Sequence, residues 1–416
     1  MNKITKKLFS NLDQIDFDKV LSVDLWDQEY LKRETIKQKI FSFKLKKSAI
    51  GMFKLIKFFF KTLYLSLNFY PALKAVNKNV NNIFYLRSSP RSDIIKHSQF
   101  YENLDSTTLC ILNQRIKKFS IAPLIYSILI IYKSRKLWNE VFKKNSINFF
   151  SLAGLNITLK LFNSFQDTLK ILPDLLTHSK LVSFLEMARS ENIICQVANI
   201  YNLETFSLEH NVGMYKDYGN FWEKYPILHY KNSVCKKVLC WGNYSKNFYK
   251  KHTDAKIYII GKAILSEEKK YSEGIIFLFN SKRFSDANNK LLNISNKFEN
   301  NKIPVSRWFK DENLIKKNGD RREGPLRKIV IGFSTNLLLE FGFMGLEVFV
   351  IKDSALCKFL PNSLILEKTD LIQNGFRSNK SYPNQIWKNF IDCVGEKSVS
   401  RYRDIIFETP HIITNN

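Results

Sequence analysis

A carboxylate and an imidazole stand side by side at Glu209-His210, inside the run ETFSLEHNVGMY over residues 204–215. Histidine is the side chain best suited to proton transfer near neutral pH. Glu209 can serve as the base itself or can orient His210. Neighbours on an ideal strand point to opposite faces, so both reach one ligand only where the strand has broken into loop. Gly213 permits the tight turn that would do this. A polar strand end with a hydrogen-bonded histidine is the plainer alternative.

A second constellation is IGFSTNLLLE over residues 331–340. A strand runs into Gly332-Phe333-Ser334-Thr335-Asn336, and an apolar helix opens. Backbone N–H groups at a helix start, with the Ser334 and Thr335 hydroxyls, make an anion site suited to phosphate. Glu340 falls one to two turns into that helix. Serine and threonine are also ordinary helix caps. Metal chemistry has weaker footing. Cys235 and Cys240 are close, but no second pair or spaced histidine completes a zinc site. Asp16-Phe17-Asp18 has no strand before it. The six cysteines read as reduced, mostly buried thiols.

The elements that position these residues follow from the pattern. IFYL (83–86) is a short buried-strand candidate followed at once by Ser88-Ser89-Pro90, and residues 107–115 are another strand. Residues 180–201 read as a helix followed by a turn. ETFSL (204–208) is a strand ending at Glu209. A second α/β register opens near Ser233. Its strands are KVLCW (237–241), KIYII (256–260), GIIFLF (274–279), KIVIG (328–332) and EVFVI (347–351), with a helix start at Asn243 or Ser245. Strand, polar turn, helix, strand is the grammar of a parallel sheet with helical crossovers. The tail, residues 384–407, has helical apolar spacing at Ile386, Phe390, Ile391 and Val394. The expectation is α/β with three parts: a first domain over 1–232 with a helical lead-in, a second over 233–380, and a tail over 381–416 packing back on the first.

The chain of 416 residues is 45% hydrophobic with a formal charge of +27. That composition supports real cores. The charge favours anionic partners. Nucleic acid is not expected among them. No zinc-finger spacing, RNP-like motif or basic zipper is present, and the basic residues are spread along the chain. The first twenty residues lack the apolar core of a secretory signal. No apolar run is long enough to span a bilayer. Residues 121–132 (IAPLIYSILIIY) read as a buried strand or helix. Residues 43–69 differ. There Lys44, Lys46, Lys47, Lys54, Lys57 and Lys61 interleave with Phe, Leu and Ile. As a helix, that segment suits the interface of an anionic membrane, or packs on the domain with its lysines reaching water.

Taken in order, ETFSLEHNVGMY, KKVLCWGNYSKNFYKKH, KIYIIGKA and KIVIGFSTNLLLEFGFMGLEVFVI resemble bacterial surface-polysaccharide glycosyltransferases of the GT-B fold, including capsule and lipooligosaccharide enzymes and the related polyol-phosphate polymerases. The resemblance covers roughly residues 180–355. It implies two Rossmann-like domains facing across a cleft, with extra N-terminal helices. It puts Glu209 and His210 in the reaction-centre turn, and Ser334, Thr335, Asn336 and Glu340 in the donor-binding turn. Gly242 and Gly261 match turn positions of the pattern. Lys262, Asn280 and Arg307 complete the expected donor-side set. The family's His-Pro pair is missing from NNKIPVSRWFKDEN, where Arg307 or Lys310 supplies positive charge, and Asn211 replaces a glycine after the histidine. Such an enzyme needs no bound metal or other cofactor where helix N-termini and basic side chains neutralise the leaving diphosphate.

The expectation is therefore a metal-independent glycosyltransferase. It would take a nucleotide-sugar donor and an oligosaccharide or lipid-linked glycan acceptor, in the cytoplasm or on the inner face of the cytoplasmic membrane. The alternatives are a CDP-polyol phosphotransferase of the same fold and a non-catalytic GT-B-like protein that binds glycan.

Overall fold

The computed structural model describes residues 3–22, 24–25, 49–75, 82–88, 108–184, 189–209, 212, 230–263, 271–279, 285–309, 326–333, 335–352, 357, 360–366 and 384–407. The chain divides into two compact units. Unit 1 is Met1–His210, Leu228–Leu239 and Tyr249–Tyr258; unit 2 is Asn211–Ile227, Cys240–Phe248 and Ile259–Asn416. This differs from the single boundary expected at residue 232. Strands β6 (Lys237–Cys240) and β7 (Lys256–Ile259) lie in the sheet of unit 1, each ending on a residue counted with unit 2. The cause is the edge of β5 (Glu204–Leu208), whose backbone pairs with β6 from Phe206↔Lys237 to Leu208↔Leu239.

That sheet has seven strands in the order β1-β3-β2-β4-β5-β6-β7. β1 (Phe69–Ala75) is antiparallel to β3 (Thr108–Lys117). β2 (Ile83–Arg87), β3, β4 (Lys180–Ser183), β5 and β6 run parallel. Every residue of β2 is buried, as a strand covered on both faces requires. Helices α1 (Lys3–Ser10), α2 (Ala49–Asn68), α3 (Ala122–Lys144), α4 (Leu152–Leu175) and α5 (Arg189–Ile200) belong to this unit. α4 starts where Ser151 caps it, its side chain accepting from Gly154 N at 3.1 Å. It buries Ile157, Leu161, Phe165, Leu169 and Leu172 at helical spacing into the main core.

The helix expected over 180–201 is in fact strand β4 followed by α5. Residues 180–183 are held on both sides by pairing, Ile83↔Lys180 and Lys180↔Glu204, and Lys180 forms an ion pair with Glu204 at 3.7 Å. Tertiary pairing overrides local propensity there. Residues 121–132 also depart from the buried reading, since they enter α3, which keeps one face in solvent.

Unit 2 holds a five-stranded parallel sheet, β12-β11-β10-β8-β9. Its strands are β8 (Tyr271–Phe279), β9 (Val305–Phe309), β10 (Leu326–Gly332), β11 (Glu347–Ile351) and β12 (Ile365–Leu366). Helix α6 (Asn243–His252) follows β6, and its start at Asn243 is as expected. α7 (Ser285–Asn300), α8 (Asn336–Phe343), α9 (Asn384–Lys388) and α10 (Glu396–Phe407) follow in chain order. Alternate residues along β8 sort to opposite faces. Ile275, Phe277 and Phe279 pack with Leu291 and Phe298 of α7. Ile276 and Leu278 share the other core with Leu338 and Leu339 of α8.

The tail was expected on the first domain. Instead it belongs with unit 2, where Trp387, Phe390 and Ile391 fill the same core as α8. An apolar helix face goes where an unfilled core receives it.

Candidate functional site

In doubly wound sheets, ligands bind beyond the carboxyl ends of the strands, where the strand order reverses. Each unit has one such point. In unit 2 the chain leaves β8 for β9 on one side, then returns to β10 on the other. Gly332, opposite Leu278 in register, closes β10 at this reversal, and α8 begins four residues later. Thr335 is the N-cap residue, with extended backbone and no side-chain capping bond. Its hydroxyl is thus not committed to the cap, while Leu338 N of the first turn donates to Thr335 O at 3.1 Å.

Lys262 meets Glu340, in the second turn of this helix, as an ion pair, with side chains only 9% and 11% exposed. The Lys262 ammonium also lies 4.6 Å from the ring centre of Trp241. Three segments that are far apart in sequence, Trp241-Gly242, Gly261-Lys262 and helix α8 at Glu340, therefore converge in unit 2. The tail segment 389–394 fixes them in place. Asp392 N donates to Trp241 O at 2.9 Å, Tyr244 N to Asn389 O at 2.9 Å, and Lys262 N to Cys393 O at 2.8 Å. Both glycines follow from this passage. A Cβ on Gly242 would stand 2.6 Å from the Asn389 and Phe390 carbonyl oxygens. One on Gly261, at φ +80°, would stand 2.2 Å from Cys393 O.

Other expected residues fall elsewhere. Arg307 lies within β9 and its guanidinium engages α7, through Ser295 Oγ at 2.9 Å, Asn296 Oδ1 at 3.0 Å and Glu299 Oε2 at 2.5 Å. Asn336 opens α8. His210, Asn211, Asn280, Lys310 and Ser334 lie outside the described residues. The six cysteines are free thiols, five of them buried. Burial, reinforced by Asp167, pushes the Cys110 thiol well above its usual range.

In unit 1 the order reverses between β2 and β4. There the structure adds a residue that the sequence did not single out. Glu191, fully buried in the first turn of α5, accepts from Ser88 N at 2.8 Å and from Ser183 Oγ at 2.5 Å. It ties the ends of β2 and β4 together. The Ser88-Ser89-Pro90 turn hinted at such an edge, but Glu191 was hidden inside a segment read as one helix. Glu209 follows β5 directly and is 2% exposed. Its backbone N–H still donates to Leu239 O at 3.0 Å, so the ladder continues through it.

An open hollow of about 840 Å³ lies at the opposite edge of unit 1, where β5, β6 and β7 begin. Glu204, Lys231, Lys250, His252, Asp254 and Lys256 are among its lining. Burial, with Lys231 and Lys251 nearby, lowers the His252 pKa. The basic residues in the last turn of α6 offset the helix dipole there, and the hollow lies at the wrong edge for a switch-point ligand.

The fold and these edges define an α/β protein of two Rossmann-like, doubly wound units. No family model matches the chain, and no curated protein matches it. Among solved structures it is similar to a putative UDP-N-acetylglucosamine 2-epimerase from Listeria monocytogenes, at 11% identity and a TM-score of 0.45, over 79% of this chain and 96% of that one. It is also similar to HepE (Alr3699) of Anabaena, solved with UDP and glucose, at 10% identity and a TM-score of 0.42, over 79% of this chain and 99% of that one.

Proposed function

We propose that this chain is a metal-independent glycosyltransferase of the GT-B kind. It moves a sugar from a nucleotide-sugar donor to a cell-surface polysaccharide or lipooligosaccharide. One observation carries the reading: Trp241 and Lys262 gather on Glu340 of α8, the helix that follows β10 at the strand-order reversal of unit 2. A helix N-terminus with a lysine behind it suits a diphosphate, and a buried carboxylate beside it suits ligand hydroxyl groups.

In this reading Ser334, Thr335, Asn336 and the start of α8 receive the donor phosphates. Gly242 and Gly261 keep the neighbouring turns close, and Asn280 serves the donor side. Glu209 or His210 takes the proton of the acceptor hydroxyl. The acceptor oxygen then bonds to the anomeric carbon, whose bond to the diphosphate oxygen breaks. The nucleoside diphosphate leaves with the electron pair, its charge met by helix N–H groups and lysine. The basic, apolar segment 43–69 holds the enzyme at the inner face of the cytoplasmic membrane, near a lipid-linked acceptor.

A screen of nucleotide sugars with the full chain, reading nucleotide release with and without glycan acceptor, tests this. One donor is expected to be consumed, with Glu209→Ala or His210→Ala slowing turnover by about a hundredfold or more. Consumption of no donor, or unchanged turnover in both variants, overturns it. Release of CMP from a CDP-polyol would replace it with a polyol phosphotransferase. Donor binding without turnover would replace it with a non-catalytic binding protein.

A further inference from the structure

All thirteen large apolar side chains that stand exposed among the described residues lie between Phe53 and Phe150, in unit 1. Scattered exposed apolar residues are normal, but a set confined to one part of the surface marks an interaction site. On α2 the exposed residues are Phe53, Ile56, Phe60 and Tyr64, with Phe59 beside them. On α3 and the residue before it they are Ile121, Ile125, Ile128, Leu129 and Tyr132. Both sets keep helical spacing, so each forms one stripe. The inward residues are also in place: Thr62 of α2 is buried, as are Ser127, Ile130, Ser134 and Trp138 of α3. Both helices are thus already packed on the unit and still present exposed apolar stripes.

The end of α2 adjoins the start of α3. Lys118 N donates to Asn68 O at 2.8 Å and Ser120 N to Leu67 O at 3.0 Å, which sets the last turn of α2 against the chain entering α3. Tyr64, the 71% exposed Phe119 and Ile121 lie within about a turn of that junction. Charge then decides what covers this face. α2 carries no acidic residue, and its Lys57 and Lys61 are exposed. α3 has Glu140 alone against five basic residues, all in the half that follows Tyr132. Lys133, Arg135, Lys136 and Lys143 border a shallow hollow there. A second copy of this chain would bring like charges together. An anionic bilayer surface supplies both an apolar boundary for the stripes and phosphates for the basic half. No described helix is long and apolar enough to cross a membrane.

We infer that α2 and α3 together form a docking surface for anionic phospholipid, lying in the bilayer interface, with the Ile121–Tyr132 stripe as an anchor equal to α2. This extends and rests on the membrane contact proposed above. Its test contains no sugar nucleotide, so its failure is separate from that of the transferase chemistry.

The full chain is sedimented with vesicles of phosphatidylcholine alone and of phosphatidylcholine with about one third phosphatidylglycerol. It pellets with the anionic vesicles, and Ile125→Glu/Ile128→Glu weakens partitioning about tenfold or more while circular dichroism stays unchanged. Lys302→Gln/Lys397→Gln removes the same two units of charge from unit 2 and leaves partitioning within about twofold of wild type. The inference is overturned if the isoleucine variant pellets like wild type, if the control loses as much, or if phosphatidylcholine alone binds equally well. It is also overturned if the wild type is a dimer that the isoleucine variant dissociates without any vesicle binding.

Discussion

Lys262 and Glu340, seventy-eight positions apart, form a buried ion pair in unit 2, with the Lys262 ammonium over the Trp241 ring. A buried pair is costly to make and costlier to halve, because either partner left alone is an unmatched charge out of water. Lys262→Met and Glu340→Leu are each expected to destabilise unit 2 by about 3 kcal/mol. The double variant should recover most of that loss. Urea unfolding of all four proteins checks this. A loss in the double variant equal to the sum of the two single losses would show that the pair is not coupled. In the proposed enzyme the double variant also loses donor binding, read by calorimetry, despite its recovered fold.

Gly261 is expected to tolerate no side chain. Its φ of +80° and the Cys393 carbonyl at 2.2 Å from a built Cβ act together. Gly261→Ala should cost about 3 kcal/mol or more. Gly345 has a similar φ of +85° but nothing within 4 Å. Gly345→Ala should cost only about 1 kcal/mol. Thermal melts of the two variants separate the contribution of crowding from that of backbone conformation.

Lys170 titrates low. Burial lowers its pKa to about 8; Asp167 works against that shift and Arg115 adds to it, and its ammonium donates to Phe69 O at 2.6 Å. In the unfolded chain a lysine keeps its proton to about pH 10.4. Between about pH 8 and 10.4 the folded state has released a proton that the unfolded state retains, so stability rises with pH across that window. Below it both states are protonated and the burial cost is fully present. Relative to Lys170→Met, the wild type should gain up to about 3 kcal/mol between about pH 7.5 and 10. Parallel stability profiles of the two proteins would refute this.

Glu191 is expected to matter for the carboxyl edge of unit 1. Glu191→Ala leaves the Ser183 hydroxyl and the Ser88 N–H without their acceptor. The expected loss is about 2 kcal/mol or more, with Glu191→Gln costing less because an acceptor oxygen remains. Hydrogen exchange at the Ser88 amide reads the local effect directly.

Most strands were legible in the sequence. ETFSL and EVFVI form β5 and β11 over the residues expected, and KIVIG, GIIFLF and KIYII differ from theirs only at the ends. Short apolar runs bounded by polar turns carry that information locally. β4 was not legible, because four residues flanked by a helix have no period of their own. Its conformation comes from β2 and β5 on either side.

The sequence by itself determined the α/β class, the order of most strands and the turns between them, and the glycines and Thr335 helix start at those turns. All of these are set by neighbours a few residues apart. Only the tertiary structure decided that β6 and β7 join the first sheet and that the tail fills the core of unit 2. It also set Lys262 against Glu340 of α8, engaged Arg307 with α7, and turned the Ile121–Tyr132 stripe outward. Which apolar face finds a core, and which charge finds a partner, depends on residues tens to hundreds of positions away, and that is fixed only when the sheets assemble.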